Sequence, residues 1–164
     1  MSQTEVKEQL VGQVGALADS GFTDKVSALS EGDLPFGRMA VRGTDLDRQG
    51  RLPTGATDIT DRKNLLGVVV RSQGIESLDF QQTPGDPRYL DKKMAPALRR
   101  GRIFVLPETA VDPSDNVFVR HTGGNEGKFR NDADGANASQ VPADQARWKS
   151  TALAGEPAIL EINL

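Results

Sequence analysis

The sequence has no cysteine and one histidine, His121. Disulfide frameworks, thiolate nucleophiles, Cys/His zinc sites and iron–sulfur clusters are therefore excluded or nearly so. An excess of positive charge is missing too. With 20 Lys+Arg against 23 Asp+Glu the net charge is −3, which offers a polyanion no attractive field, so nucleic acid is not an expected partner. Nowhere do about eighteen apolar residues run together. The start, Met1-Ser2-Gln3-Thr4-Glu5, has no basic region leading into an apolar stretch, so neither a membrane span nor a secretion signal is expected. Aromatic residues make up 5% of the chain, thin for a sugar-stacking platform.

What remains is a chain of 164 residues, the size of one ordinary domain and long enough to bury a core without metals or disulfides. Gly 17 and Pro 9, with 37% hydrophobic residues, describe a body rich in turns and loops. In residues 1–22, Val6, Leu10, Val14 and Leu17 recur at a helical spacing, but Gly12 and Gly15 each weaken a helix by about 1 kcal/mol. An extended arm over 1–22 is the favoured reading, with a β-rich body over 23–164.

Within that body Val26–Leu29 reads as a short strand, and Leu34–Arg42, with Pro35 and Gly37, as an edge or bulged strand. Residues 43–64 are too polar and Gly-rich to order cheaply and read as a long surface loop. Leu65–Arg71 is the strongest strand, a β-branched run bounded by turn residues and expected in the core. Residues 72–88 read as another loop, ending in the turn cluster Thr83-Pro84-Gly85-Asp86-Pro87.

Arg102–Leu106 and Asp115–Arg120 are spaced as successive strands of a meander, with Val111 pointing inward between them. Asn131–Ser139 is a polar loop. Arg147–Leu153 and Ala158–Leu164 form a closing pair around Gly155-Glu156-Pro157. In the last strand Leu160, Ile162 and Leu164 alternate with Glu161 and Asn163, as in a half-buried strand. About eight short strands and no convincing amphipathic helix make an all-β barrel or sandwich of short antiparallel strands with long loops.

Candidate chemistry is sparse. A Ser-His-Asp site would need His121, yet no Gly-x-Ser-x-Gly elbow supplies a nucleophile, and a surface or turn histidine is the better reading. Gly123–Lys128 fails as a phosphate loop because Thr122 and Phe129 stand where Gly and Ser/Thr are needed. Asp132-Ala133-Asp134-Gly135 fails as a calcium loop because Arg130 falls at the first ligand position and Val141 at the last. Ala95-Pro96-Ala97 after Asp91-Lys92-Lys93-Met94 breaks the strand that a lipoyl-type hairpin requires. Neither a cofactor nor a metal is expected. Arg99-Arg100-Gly101-Arg102 with Lys92-Lys93 is the one basic cluster; it suits an acidic surface on another subunit, although a solvated face is the commoner meaning of such a run. Trp148 reads as core or interface filler.

The order of segments resembles the structural cement, or capsid decoration, proteins of tailed bacteriophages. The resemblance rests on Val14-Gly15-Ala16-Leu17-Ala18-Asp19-Ser20, Leu34-Pro35-Phe36-Gly37-Arg38-Met39-Ala40-Val41 and Leu66-Gly67-Val68-Val69-Val70. It continues through Gly101–Val105, Asp115–Arg120, Gly127-Lys128-Phe129-Arg130 and Ala146-Arg147-Trp148, and so spans nearly the whole chain; residues 43–64 match least. It implies a barrel or jelly-roll-like body without catalysis. It further implies self-association, as a trimer in preference to a dimer, and binding to the major capsid protein on the outside of an HK97-type shell, across the seams between capsomers. The protein would then be made in the host cytoplasm and reside on the virion.

On that reading Val6, Leu10, Val14, Leu17 and Phe22 are the partner-binding residues, packing on a neighbouring subunit or the shell. Neither membrane nor small-molecule substrate is expected. The competing reading is a carbohydrate- or receptor-binding β-sandwich of a tail or fibre, with Trp148 and Tyr89 as stacking residues. A small hydrolase built on His121 is the other.

Overall fold

A computed structural model describes residues 13–19, 21–45, 48–72 and 87–164. Of the expectations above, those on Val6, Leu10 and most of the loop at 72–88 lie outside these residues. The described chain is nearly all strand: β1 Asp24–Ser30, β2 Leu34–Pro35, β3 Met39–Arg42, β4 Gln49–Arg51, β5 Leu65–Val69, β6 Arg88–Tyr89, β7 Met94–Val105, β8 Phe118–Arg120, β9 Phe129–Arg130, β10 Ala138–Gln140, β11 Ala146–Trp148 and β12 Ala158–Asn163. The short helix α1, Ala56–Thr60, and a 3₁₀ turn at Asp134–Ala136 complete it.

The main sheet closes on itself. Its order β1-β4-β3-β5-β7 returns to β1 through a β1–β7 pairing, giving a five-stranded barrel from which β12 and β11 extend. All these pairings are antiparallel except β1–β4, which is parallel. So small a ring leaves little interior room. The apolar cluster inside it is accordingly built from Ala28, Ala40, Ala95 and Ala97 around Leu66 and Val69. At Gly50 a Cβ would lie 2.6 Å from Leu66 Cδ2. Leu34, Phe36 and Tyr89 pack on the same cluster, the Phe36 and Tyr89 rings edge to face at 5.2 Å.

The outside of the barrel wall is buried as well. Met39, Val41, Leu65, Val68, Val70 and Leu98 face a second, larger core shared with Val119, Phe129, Val141, Trp148, Leu160 and Ile162. This is why β5 is apolar on both faces: each side chain of Leu65–Val69 is buried, in one core or the other. Gly67 leaves no room for a side chain between β5 and β7; at φ 152°, a Cβ there would lie 2.6 Å from the Leu98 carbonyl oxygen.

Several expectations need correction. Residues 43–64 are not loop throughout, since β4 and α1 lie there. Ile59 of α1 is fully buried, and Arg51 clamps the helix by a two-pronged contact to Asp58, both distances 3.0 Å. Pro96 does not break its strand. Its carbonyl accepts from the Val70 N–H just past the end of β5, and the Val70 carbonyl, which its missing N–H would face, accepts instead from the Tyr89 hydroxyl at 2.9 Å. β7 therefore runs for 12 residues. The segments at 102–106 and 115–120 form no meander: β7 pairs with β12, while β8 joins β9 and β10 in a separate three-stranded sheet. Part of the polar loop at 131–139 supplies that sheet with β10.

The strand of greatest consequence for the surface is β7. Its first half is flanked by β1 and β5, its second by β12. Along that second half run residues 15–18, through Gly15 N–H to Phe104 O at 2.8 Å, Phe104 N–H to Ala16 O and Ala18 N–H to Arg102 O, both at 2.9 Å. The result is a four-stranded patch of residues 15–18, β7, β12 and β11. Its inner face, with Leu17, Ile103, Leu160 and Trp148, covers the larger core.

Candidate functional site

The outer face of that patch follows from the register. Arg102 lies opposite Glu161, and Glu161 opposite Arg147, forming a row of alternating charge across β7, β12 and β11. Arg102 donates to Glu161 at 3.0 Å and reaches Asp19 at 3.5 Å; Lys149 lies 3.6 Å from Glu161. Next to the row opens a cleft of about 510 Å³, lined by Phe22, Arg100, Arg102, Gln145, Arg147 and Glu161 among others.

Phe22 is 74% exposed at this cleft, its ring 5.3 Å from the Arg100 guanidinium carbon. Asp144, on the lining, is held by Arg62 at 2.7 Å. Arg100 and Arg147 make no ion pair with any described carboxylate. Gln145 is buried, and its Oε1 has no donor among the described residues.

The partner-binding residues expected from sequence scatter. Phe22 reaches the cleft. Leu17 is half-buried on the protein's own core, and Val14 is half-buried against Gly37. Gly15, at φ 80°, fixes that stretch: its carbonyl accepts from Arg71 N–H at 2.8 Å, and a Cβ would lie 2.9 Å from Phe36 Cβ. The basic run at 99–102 splits on folding. Arg102 is neutralised, Arg100 stacks on Phe22, and Lys92 occupies a turn at φ 61° before β7. Arg147, Glu161 and Gln145 escaped sequence reasoning because only the β11–β12–β7 register brings them together.

A second concentration of charge lies on the three-stranded sheet. Arg120 Nε donates to Glu108 at 2.8 Å, and its Nη2 lies 2.7 Å from Asp134. Arg130 pairs with Asp132 at 2.6 Å, Asp134 at 3.1 Å and Glu108 at 3.3 Å. The hydrogen bond from Arg120 holds the Asp134 carboxyl below the usual carboxylate range, and the charge of Arg130 adds to it. Glu108 in turn raises the Arg120 guanidinium. This is a closed network, with each guanidinium shared among carboxylates of the same chain.

His121 is buried rather than on the surface, a correction. Its Nδ1 lies 2.7 Å from Thr122 Oγ1 and its Nε2 3.0 Å from Ser139 Oγ, while its backbone N–H donates to Asn137 O at 2.9 Å. Hydroxyls occupy both ring nitrogens, and the orienting carboxylate of a triad is not there. The ring ties β8 to β10. The stacking residues of the sugar-binding alternative are equally enclosed. Trp148 and Tyr89 are each 1% exposed; the indole N–H faces Asn116 O at 3.4 Å and the phenol donates to Val70 O at 2.9 Å. Neither ring face can meet a sugar. Among the described residues no three His, Asp or Glu side chains group closely enough to hold a metal ion.

The family model described as "Structural cement protein (E217 gp24/Pam3 gp6)" matches residues 2–163. The fold is similar to that of a chain in the solved capsid of Myoviridae phage XM1, with TM-score 0.67 and 16% identity over 99% of this chain and 98% of that one. The N base of head fiber gp8.5 of bacteriophage phi29 also aligns, with TM-score 0.45 and 12% identity over 87% of this chain and 95% of that one. No curated protein matches.

Proposed function

The chain belongs to the structural cement protein family of phages, and from that premise we propose that it fastens the major capsid protein lattice of an HK97-type shell from outside, across the seams between capsomers. Family membership implies a structural role on the virion capsid. The observation that carries the finer reading is the extent of the match: the family pattern covers residues 2–163, and the same fold occurs, over nearly the full length of both chains, in the phage XM1 capsid.

The physical mechanism is burial. A specific contact covers about 1,600 Å² in total, and icosahedral symmetry repeats it, so that modest energies multiply by avidity. The contacts proposed are Val6, Leu10, Val14, Leu17 and Phe22, with self-association as a trimer. Of the three described, Phe22 is the one whose side chain is largely exposed.

The test is depletion and add-back. Particles stripped of the protein should lose their contents at lower temperature and under milder osmotic shock than intact ones, and purified protein should rebind and restore them. Stripped particles as robust as intact ones, with no rebinding, would sink the proposal.

A further inference from the structure

We propose that this chain assembles head to tail, the paired turns at 110–115 and 151–156 of one copy docking on the outer face of the β1–β7 ribbon of the next. The inference rests on the self-association in the reading above and names the two surfaces that make it. Three observations carry it.

The first is where apolar side chains stay in water. Among the described residues the exposed large ones are Phe22, Met94 and Leu153, at 74, 58 and 65% exposure, and Arg100 lies over the Phe22 ring. Met94 belongs to a strip on the ribbon. Ala28 and Ala95 point into the barrel, so the pairs on either side of them in the register, Leu29 with Met94 and Ser27 with Pro96, face outward. Leu153 stands on a knob instead. Val111 and Ala152 tie its two turns by a pair of backbone hydrogen bonds, 2.9 and 3.1 Å, and Thr151 Oγ1 donates to Asp112 at 3.3 Å. Asp112 also accepts from the Ser114 N–H and hydroxyl, at 3.0 and 2.9 Å. A knob braced in this way loses little entropy on docking.

The second is charge. The knob segments hold Asp112, Asp115 and Glu156 and no Lys or Arg, and none of these carboxylates makes an ion pair within the chain. On the ribbon, Lys25 shares the outward face of Ser27 and Leu29, and Lys92 and Lys93 stand in the turn leading into Met94. All three lysines are exposed and in no ion pair. Of the carboxylates beside them, Asp91 accepts from the Gly32 N–H at 2.8 Å, Glu31 from the Thr44 N–H and hydroxyl at 2.7 and 2.8 Å, and Asp24 lies opposite Arg100 in the register. Three lysines around Met94 thus match three carboxylates around Leu153. Opposite charges at the rim of an apolar contact select the partner and fix its register.

The third is distance. Met94 opens β7, and beyond the far end of that strand the Pro107 carbonyl accepts from the Gly155 N–H of the knob at 2.8 Å. Twelve residues of strand at about 3.3 Å each hold knob and ribbon strip on the order of 30 Å apart. The knob therefore meets the strip of another copy and not its own. A contact between two unlike surfaces is heterologous, and it closes into a ring when each step turns by a simple fraction of a circle, one third for the trimer.

Sedimentation equilibrium of the full chain tests this on wild type, Met94→Asp and Leu153→Asp, alone and mixed. Each variant alone should associate at least about tenfold more weakly than wild type. Met94→Asp keeps its knob and Leu153→Asp its ribbon, so the mixture should form a one-to-one pair that grows no further, which also shows that both are folded. A two-fold contact between like surfaces would instead leave one variant associating as wild type does. Lys93→Glu and Glu156→Lys should each weaken association, and one chain carrying both should recover most of it. Rising salt should weaken the wild-type contact. Wild type that is monomeric at every concentration, a variant that associates like wild type, or a mixture that forms no pair overturns the inference, while rebinding to stripped particles still decides the capsid reading. Protein that associates as described yet fails to rebind sinks the capsid reading and leaves this contact standing.

Discussion

Arg120 and Arg130 lie among Glu108, Asp132 and Asp134 on the three-stranded sheet, whereas Arg100 and Arg147 stand exposed on the outer face of the four-stranded patch, opposite Asp24 and Glu161 in the register but in no ion pair with a described carboxylate. The Arg130 side chain is 8% exposed and that of Arg120 12%. A guanidinium so enclosed must be answered by carboxylates of the same chain, because desolvation without a counter-charge costs several kcal/mol. A guanidinium left in water carries no such requirement and keeps its donors for a partner. The comparison separates charges that hold the body together from charges that make no ion pair among the described residues.

The sharpest way to break the first set is Arg130→Ala. It strands Glu108, Asp132 and Asp134 with Arg120 as their one remaining cation in the network. Removing one member of a buried pair costs about 3 to 5 kcal/mol, and the partial exposure of Asp132 and Asp134 places this site near the low end. A loss of about 3 kcal/mol, read as a drop of roughly 6 to 12 °C in Tm, is the expected result. A drop under 2 °C would mean that the network adds nothing to stability.

A smaller effect comes from acid. Asp134 has its folded pKa lowered by Arg120, so on acidification the unfolded chain takes up its proton first, near the ordinary aspartate value of about 3.9. The stability this gives is present above that pH and is lost as pH falls through the folded pKa. Asp58 behaves likewise: burial raises its pKa, but the hydrogen bonds from Arg51 and the Thr54 N–H outweigh that and leave it lowered. Thermal melts between pH 7 and pH 3 should therefore show wild type losing Tm more steeply below about pH 4 than Asp134→Asn, a residue that tolerates the φ of 44° at this position. Parallel acid limbs for the two proteins would remove Asp134 from the account.

Much of the fold was legible because period-two patterns and turn residues mark strands locally. The alternation of Leu160, Ile162 and Leu164 gave β12, and the apolar run at 65–70 gave β5 in the core. What escaped depends on contacts distant in sequence. Pro96 reads as a breaker until β5 is seen to end beside it. The polar stretch at 43–64 reads as loop until Ile59 and the Arg51–Asp58 clamp tie it down.

The closed ion network shows the same limit. Asp132-Ala133-Asp134-Gly135 has the look of a cation loop, yet its carboxylates are taken by Arg120, ten or more residues upstream, and by Arg130 beside it. The arm residues Val14 and Leu17 show it again: their spacing marks them as apolar contacts, and the chain's own β7 edge and core engage Leu17 first.

The smallest expected effect is the stability cost of Arg147→Glu, and its smallness is what sharpens the comparison. Arg147 is exposed and lies directly across from Glu161, so reversal places like charges on opposed strands. Such a pair at a surface costs between a few tenths and about 1 kcal/mol, and Arg102 and Lys149, both in contact with Glu161, absorb part of it. Tm should fall by no more than about 2 °C, against the much larger drop for Arg130→Ala. If Arg147→Glu destabilised the free protein as much as Arg130→Ala does, the cleft arginine would belong with the network that holds the body together, and the two sets of charge would not differ.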